Sequence, residues 1–147
     1  MKWTLVEHGD ARTYVLVADP GEDAVTVLGE FAADQGLTGA SLTGVGAFSG
    51  ATVGWFDREQ QEYRPIHVTE QCELLSLVGD IALGPEGPQV HVHAVLGLPD
   101  GSVRGGHLLA GDVWPTLEVV ARETPATLRK TSRPEIGLAL MDIDRTT

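Results

Sequence analysis

The segment HVHAVLGLPDGSVRGGHLL, residues 91–109, holds His91, His93 and His107, three of the chain's five histidines. Neutral imidazoles are ligands for divalent transition metals, zinc foremost, with nickel, copper, cobalt and iron also suited. A site requires that all three face one point, and the turn between them sets that geometry. Pro99 presets φ, Asp100 favours a turn, and Gly101 accepts a positive φ. A three-residue loop over 99–101 closes a hairpin on Leu98 and Ser102. Pairing outward then sets Val95 opposite Gly105, and His93 opposite His107. His91 and His93 share a face through the two-residue period of a strand, and directly opposed residues share a face as well. Opposed Cβ atoms lie roughly 5 Å apart, and the His91–His107 diagonal about 7–8 Å. Zn–N bonds of about 2.0–2.1 Å fit that spread. Gly105 and Gly106 are expected to leave room beside the ion and to form a bulge. Three protein ligands leave the fourth position of a tetrahedral ion open, as in catalytic zinc sites.

Metal-assisted chemistry usually needs an acid/base group. Glu73 in CELLSL and Glu118 in TLEVV are the candidates, because each interrupts an apolar run where a charge is unexpected. Each could act as a further ligand, as a partner to a histidine N–H, or as a general base. The competing reading is an exposed residue on the polar face of a strand. His8 and His67 stand alone and are read as surface or pairing residues. TGVGAFSG lacks the Lys-Ser/Thr and following helix of a phosphate loop, so it is read as a strand bend.

The elements that must position these residues are mostly strands. TYVLVA (13–18) is β-branched and aromatic. In DPGEDAVTVLGEFAADQG, Val25, Leu28, Phe31 and Ala32 recur at helical spacing; Asp19 and Pro20 are read as the helix start and Gly36 as its cap. Residues 39–57 read as strand with a bend, and 62–83 as one or two strands broken near Glu70. The stretches 116–123 and 137–143 read as further strands. Asp112 is a candidate cap for a helical turn over 112–117. One helix followed by strands at hairpin spacing predicts an α+β fold, mostly antiparallel, with one main packed helix.

Length and composition bound the rest. At 147 residues and 42% hydrophobic, the chain is sized for one domain, read here as 1–147, with a real core and no need of disulfides. Cys72 is the single cysteine, which fits a reducing compartment. No secretory signal or apolar span of membrane length is visible, so a soluble, cytoplasmic protein is expected. The net charge is −11, with 21 acidic against 10 basic residues. That disfavours DNA, whose binding rests on neutralised phosphates. Arg122, Arg129, Lys130 and Arg133 form a sparse basic stretch interrupted by Glu123 and Pro125, read as a solvated face.

ELLSLVGDIAL followed by PQVHVHAVLGLPDGSVRGGHLLAGDVWPTLEVV resembles the PPC (plants and prokaryotes conserved) domain in its prokaryotic form. GVGAFSGATVGWFD and Tyr63 fit the same domain, over roughly residues 8–143. The resemblance implies an antiparallel sheet with a packed helix, assembled as a homotrimer. It also implies that His91, His93 and His107 match the metal-binding histidines of prokaryotic members. A similar three-histidine zinc arrangement occurs in acetolactate decarboxylase. Plant members bind AT-rich DNA through preceding AT-hooks with an Arg-Gly-Arg-Pro core; SRPEIG is not one. The expected function is that of a PPC protein with a three-histidine metal site and no assigned activity, metal-dependent chemistry on a small polar substrate being the candidate reaction class. The alternative is a DNA-binding or regulatory trimeric module with a structural metal.

Overall fold

A computed structural model describes residues 1–147. Its strands are β1 (Lys2–Glu7), β2 (Thr13–Ala18), β3 (Gly39–Asp57), β4 (Glu62–Val68), β5 (Cys72–Gly84), β6 (Gly87–Gly97), β7 (Val103–Glu123), β8 (Lys130–Arg133) and β9 (Leu138–Met141). The one α-helix, α1, spans Ala24–Asp34. The strands pair antiparallel throughout, and the fold is α+β with a single packed helix, as the patterning predicts. No helix is long and apolar enough to cross a membrane.

Two long strands organise the sheet. β3 pairs with β5 along one edge and with β7 along the other, while β5, β6 and β7 follow one another as neighbours. Four strands therefore close on themselves. β4 extends the free end of β3, and β2 with β1 extends β7. β8 and β9 form a separate hairpin near the C-terminus. It is held to the sheet by a Leu83 N–H donating to the Leu128 carbonyl at 2.8 Å and by Leu128 N–H donating to Thr38 at 3.0 Å.

α1 packs on β6 and β7. Its buried face is Ala24, Val27, Leu28, Phe31 and Ala32. These join Tyr14, Leu42, Phe48, Leu77, Ile81 and Leu108 in one continuous core. Truncating a core aromatic such as Phe31 to alanine would cost about 3–5 kcal/mol through lost burial and the cavity left behind.

Four expectations need correction. The helix starts at Asp23, whose carboxylate accepts from Thr26 N–H at 2.8 Å, because an Asx cap satisfies a first-turn donor that Asp19 is too distant to reach. The bend expected in residues 46–50 is instead a pair of register shifts within continuous β3. No helical turn forms over 112–117, because β3 and β2 recruit that stretch into β7, which carries a cis Trp114–Pro115 bond. The pairing of β6 with β7 runs without a bulge. Gly106 serves a different end there: a Cβ on it would lie 2.5 Å from the Gly54 carbonyl oxygen, so glycine lets β3 approach. β1 is an addition that the sequence reading left out.

Candidate metal centre

The hairpin forms as its turn residues dictate. Leu98 N–H donates to the Ser102 carbonyl and Gly101 N–H to the Leu98 carbonyl, both at 2.9 Å. Asp100 accepts from the Ser102 backbone at 2.9 Å and from its hydroxyl at 2.6 Å. That closure fixes the register, and His93 stands directly opposite His107, with Val95 opposite Gly105. All three imidazoles meet on one face. Their candidate ligand atoms lie within 4.8 Å of one another. His91 Nε2 and His93 Nε2 are 3.3 Å apart. Two nitrogens bound to one tetrahedral ion at about 2.05 Å would be separated by roughly 3.3 Å, so this pair already has ligand spacing. His107 Nδ1 is buried and has no hydrogen-bond partner. A buried polar atom left unpaired is costly and uncommon. A metal ligand is one role that accounts for it, and the donor set fits zinc or another divalent transition metal.

The electrostatics favour the neutral, ligand-ready form of His93 and His107. Burial drives the His107 pKa down from 6.5 to about 4, helped by His91, His93 and Lys130. Burial, then His91, also lowers the His93 pKa. Tyr63 of β4 stacks on His107 with ring centroids 4.6 Å apart and planes 15° from parallel. It lies over Gly54, where a Cβ would come within 2.8 Å of the Tyr63 ring. Gly54 is in turn the strand partner of His107, so one missing side chain admits the stacking ring.

Two residues at the site were not read from the sequence. Asp80 on β5 stands opposite His91, and its Oδ2 lies 3.4 Å from His91 Nδ1. That contact orients the ring and leaves Nε2 for the cluster, the usual arrangement behind a ligating histidine. Lys130, at the start of β8, places Nζ 2.7 Å from Asp80 Oδ1 with its side chain only 7% exposed. The approach angle lies outside hydrogen-bond geometry, so the contact is an ion pair. Burial alone would raise the Asp80 carboxyl, yet His91 and Lys130 hold it below its ordinary value. The "solvated" basic stretch therefore contains one buried structural cation.

Glu73 and Glu118 are not brought to the histidines within the chain. Glu73 sits opposite Gly97, seven residues before Asp80 on β5, about 23 Å of extended strand. Glu118 sits eleven residues beyond His107 on β7, about 36 Å of extended chain. Both are exposed, each in a hollow of its own, because strand alternation turns them outward while Leu74, Leu117 and Val119 turn in. His67 is a pairing residue, its Nδ1 3.1 Å from the Thr52 hydroxyl.

The Plants and Prokaryotes Conserved domain model matches residues 6–125. The chain belongs to this family. Among solved structures, the PPC protein of Pyrococcus horikoshii is similar at 30% identity and TM-score 0.84, over 96% of this chain and 94% of that one. A protein of Bacteroides thetaiotaomicron named as a candidate DNA-binding protein aligns at 26% identity and TM-score 0.88, over 97% and 99%. A metal-containing protein of Archaeoglobus fulgidus aligns at 29% identity and TM-score 0.81, over 95% and 96%. No curated protein matches the chain. The PPC model ends before β8, so Lys130 and the β8–β9 hairpin lie outside the matched segment.

Proposed function

We propose that this PPC protein holds a divalent transition metal, zinc best, on His91, His93 and His107, and uses it in chemistry on a small molecule. The observation that carries the reading is the convergence of three imidazoles whose candidate ligand atoms lie within 4.8 Å of one another, with the His91 and His93 nitrogens 3.3 Å apart. The metal-containing relative from Archaeoglobus fulgidus supports it. When bound, such an ion supplies Lewis-acid polarisation of a carbonyl or phosphoryl oxygen. The chain's own residues do the rest. Asp80 orients His91, Lys130 fixes Asp80, and Tyr63 packs His107 against the sheet. With three protein ligands, one coordination position stays exchangeable. The cobalt-loaded protein tests this: its visible absorption should move when a small anion such as cyanide is added. A spectrum that ignores added anions would mark a closed, structural site.

The second reading is a DNA-binding module with a structural metal. The name of the Bacteroides relative favours it, and the net charge of −11 opposes it. A gel shift with AT-rich and random duplexes at physiological salt separates the two. In either reading we propose a homotrimer in a reducing, cytoplasmic setting. Val45, Leu75, Val78 and Val120 are 54%, 53%, 51% and 43% exposed around one shallow hollow that also holds Glu118. Such contiguous apolar exposure suits contact with further copies. Glu73 and Glu118 keep a catalytic role only if a neighbouring copy carries them to a histidine cluster. Mass by light scattering, in wild type and Leu75→Asp, tests the assembly.

A further inference from the structure

Lys130 and Asp80 form a buried ion pair: Nζ lies 2.7 Å from Oδ1, and the side chains are 7% and 28% exposed. With its other oxygen the same carboxylate faces His91 Nδ1 at 3.4 Å. One carboxylate therefore stands between an ammonium and the imidazole cluster. The ligating imidazoles bring no negative charge, and no carboxylate belongs to the cluster or lines the hollow beside it. A divalent ion on the histidines would find its counter-charge in Asp80, which Lys130 already holds. Two cations that share one partly buried carboxylate oppose each other, with little solvent between them to screen the repulsion.

Lys130 belongs to the least anchored element of the fold. β8 and β9 pair only with each other, apart from one bridge between Leu83 and Arg129 at the base. A two-stranded hairpin is only marginally stable by itself. Beyond its base two polar contacts hold it down: Lys130 on Asp80, and Gln61 Nε2 donating to the Glu135 carbonyl at 2.7 Å. Docked, the hairpin walls a hollow of about 420 Å³ beside His91 and His107 with Lys130, Leu138, Ala139 and Leu140.

We propose that metal binding at the histidines and docking of the β8–β9 hairpin oppose each other through Asp80, so that a bound ion loosens the hairpin and opens the hollow. The inference rests on the metal-centre reading. An ion on His91 draws Asp80 toward the ring and repels Lys130. Without an ion the carboxylate is left to Lys130, and the hairpin stays closed. When Lys130 withdraws, Asp80 keeps to His91, because a partly buried carboxylate holds to the donor it has left. The coupling is reciprocal: the factor by which the docked ammonium lowers metal affinity is the factor by which bound metal weakens docking.

The test is hydrogen exchange of the β8–β9 amides in the full chain, without and with saturating zinc, with zinc content measured alongside. Bound zinc should speed their exchange about tenfold, while the main sheet exchanges no faster. Lys130→Met should bind zinc about tenfold more tightly than wild type against a chromophoric chelator, and its hairpin exchange should no longer respond to zinc. Lys130→Arg should match wild type in both. A lysine with a merely structural role would loosen the hairpin when replaced and leave zinc affinity unchanged. Gln61→Ala, which cuts the other tether, should speed hairpin exchange in both forms and keep the zinc response. With the wild-type exchange, it decides the matter if Lys130→Met fails to fold. Zinc uptake with unchanged or slower hairpin exchange, or a Lys130→Met protein that binds zinc no more tightly, would overturn this inference and leave the metal reading standing. No uptake of zinc would overturn the metal reading and this inference with it.

Discussion

Strands β5 and β7 each carry polar residues into apolar runs at two places, and only one place becomes a site. At the histidine end, Asp80, His91, His93 and His107 converge from adjacent strands, with Lys130 closing from β8. At the other end, Glu73 and Glu118 stand on the same strands yet face outward and apart. Residue type does not distinguish the two ends, because a carboxylate in an apolar run marks both. Convergence and burial do. The histidine end leaves a buried nitrogen unpartnered and lowers the pKa of His93 and His107 through burial, whereas the glutamates stand exposed to solvent.

Removing a ligand should break the contrast most severely. His93→Ala should weaken zinc binding by more than about 100-fold in competition with a chromophoric chelator, since even losing a partner behind a ligand costs about 10–100-fold. An affinity within tenfold of wild type would mean the histidines do not share an ion.

The protonation of His107 gives the next effect. Its folded pKa of about 4 lies below the 6.5 of an unconstrained imidazole, through burial first and then neighbouring charge. Between those values the unfolded chain takes a proton that the folded chain refuses. The metal-free protein should therefore lose stability as pH falls from about 6.5 toward 4, by up to about 3 kcal/mol, and be unaffected by this group above that window. Urea melts across the range should show the slope in wild type and lose it in His107→Gln.

Asp80 sharpens the comparison by showing what a carboxylate does when it is in place. Asp80→Asn should lower zinc affinity by about 10–100-fold while the fold persists, because Asn keeps the shape but neither holds His91 electrostatically nor balances Lys130. The smallest effect belongs to the other end. Glu73→Gln and Glu118→Gln should each change monomer stability by no more than about 0.5 kcal/mol and leave zinc stoichiometry alone. A loss of metal in either variant would show that a second copy brings that glutamate to the histidines.

These contrasts also mark what was legible in the sequence. The hairpin was, because Pro99-Asp100-Gly101 fixes the register and a two-residue period then determines the face. The helix was, because its apolar spacing is local, although its start moved to Asp23. Asp80 was not, because its link to His91 is a pairing between strands that no local spacing encodes. Lys130 was not, because a charge in a polar stretch looks solvated until the β8–β9 hairpin folds it against Asp80. The stretch 112–117 offered a candidate helical turn where the structure has strand, because the pairing that makes it a strand comes from β3 and β2, distant in sequence. Local chemistry marked the three histidines, and long-range pairing supplied the groups that orient them.

The most direct test is elemental analysis of untagged protein, dialysed extensively, beside His107→Ala. The account predicts about one divalent transition metal per chain, zinc foremost, and its loss in the variant. Metal-free wild type that also takes up none from a zinc-containing buffer would contradict it, and the three imidazoles would then be a packing feature of the hairpin.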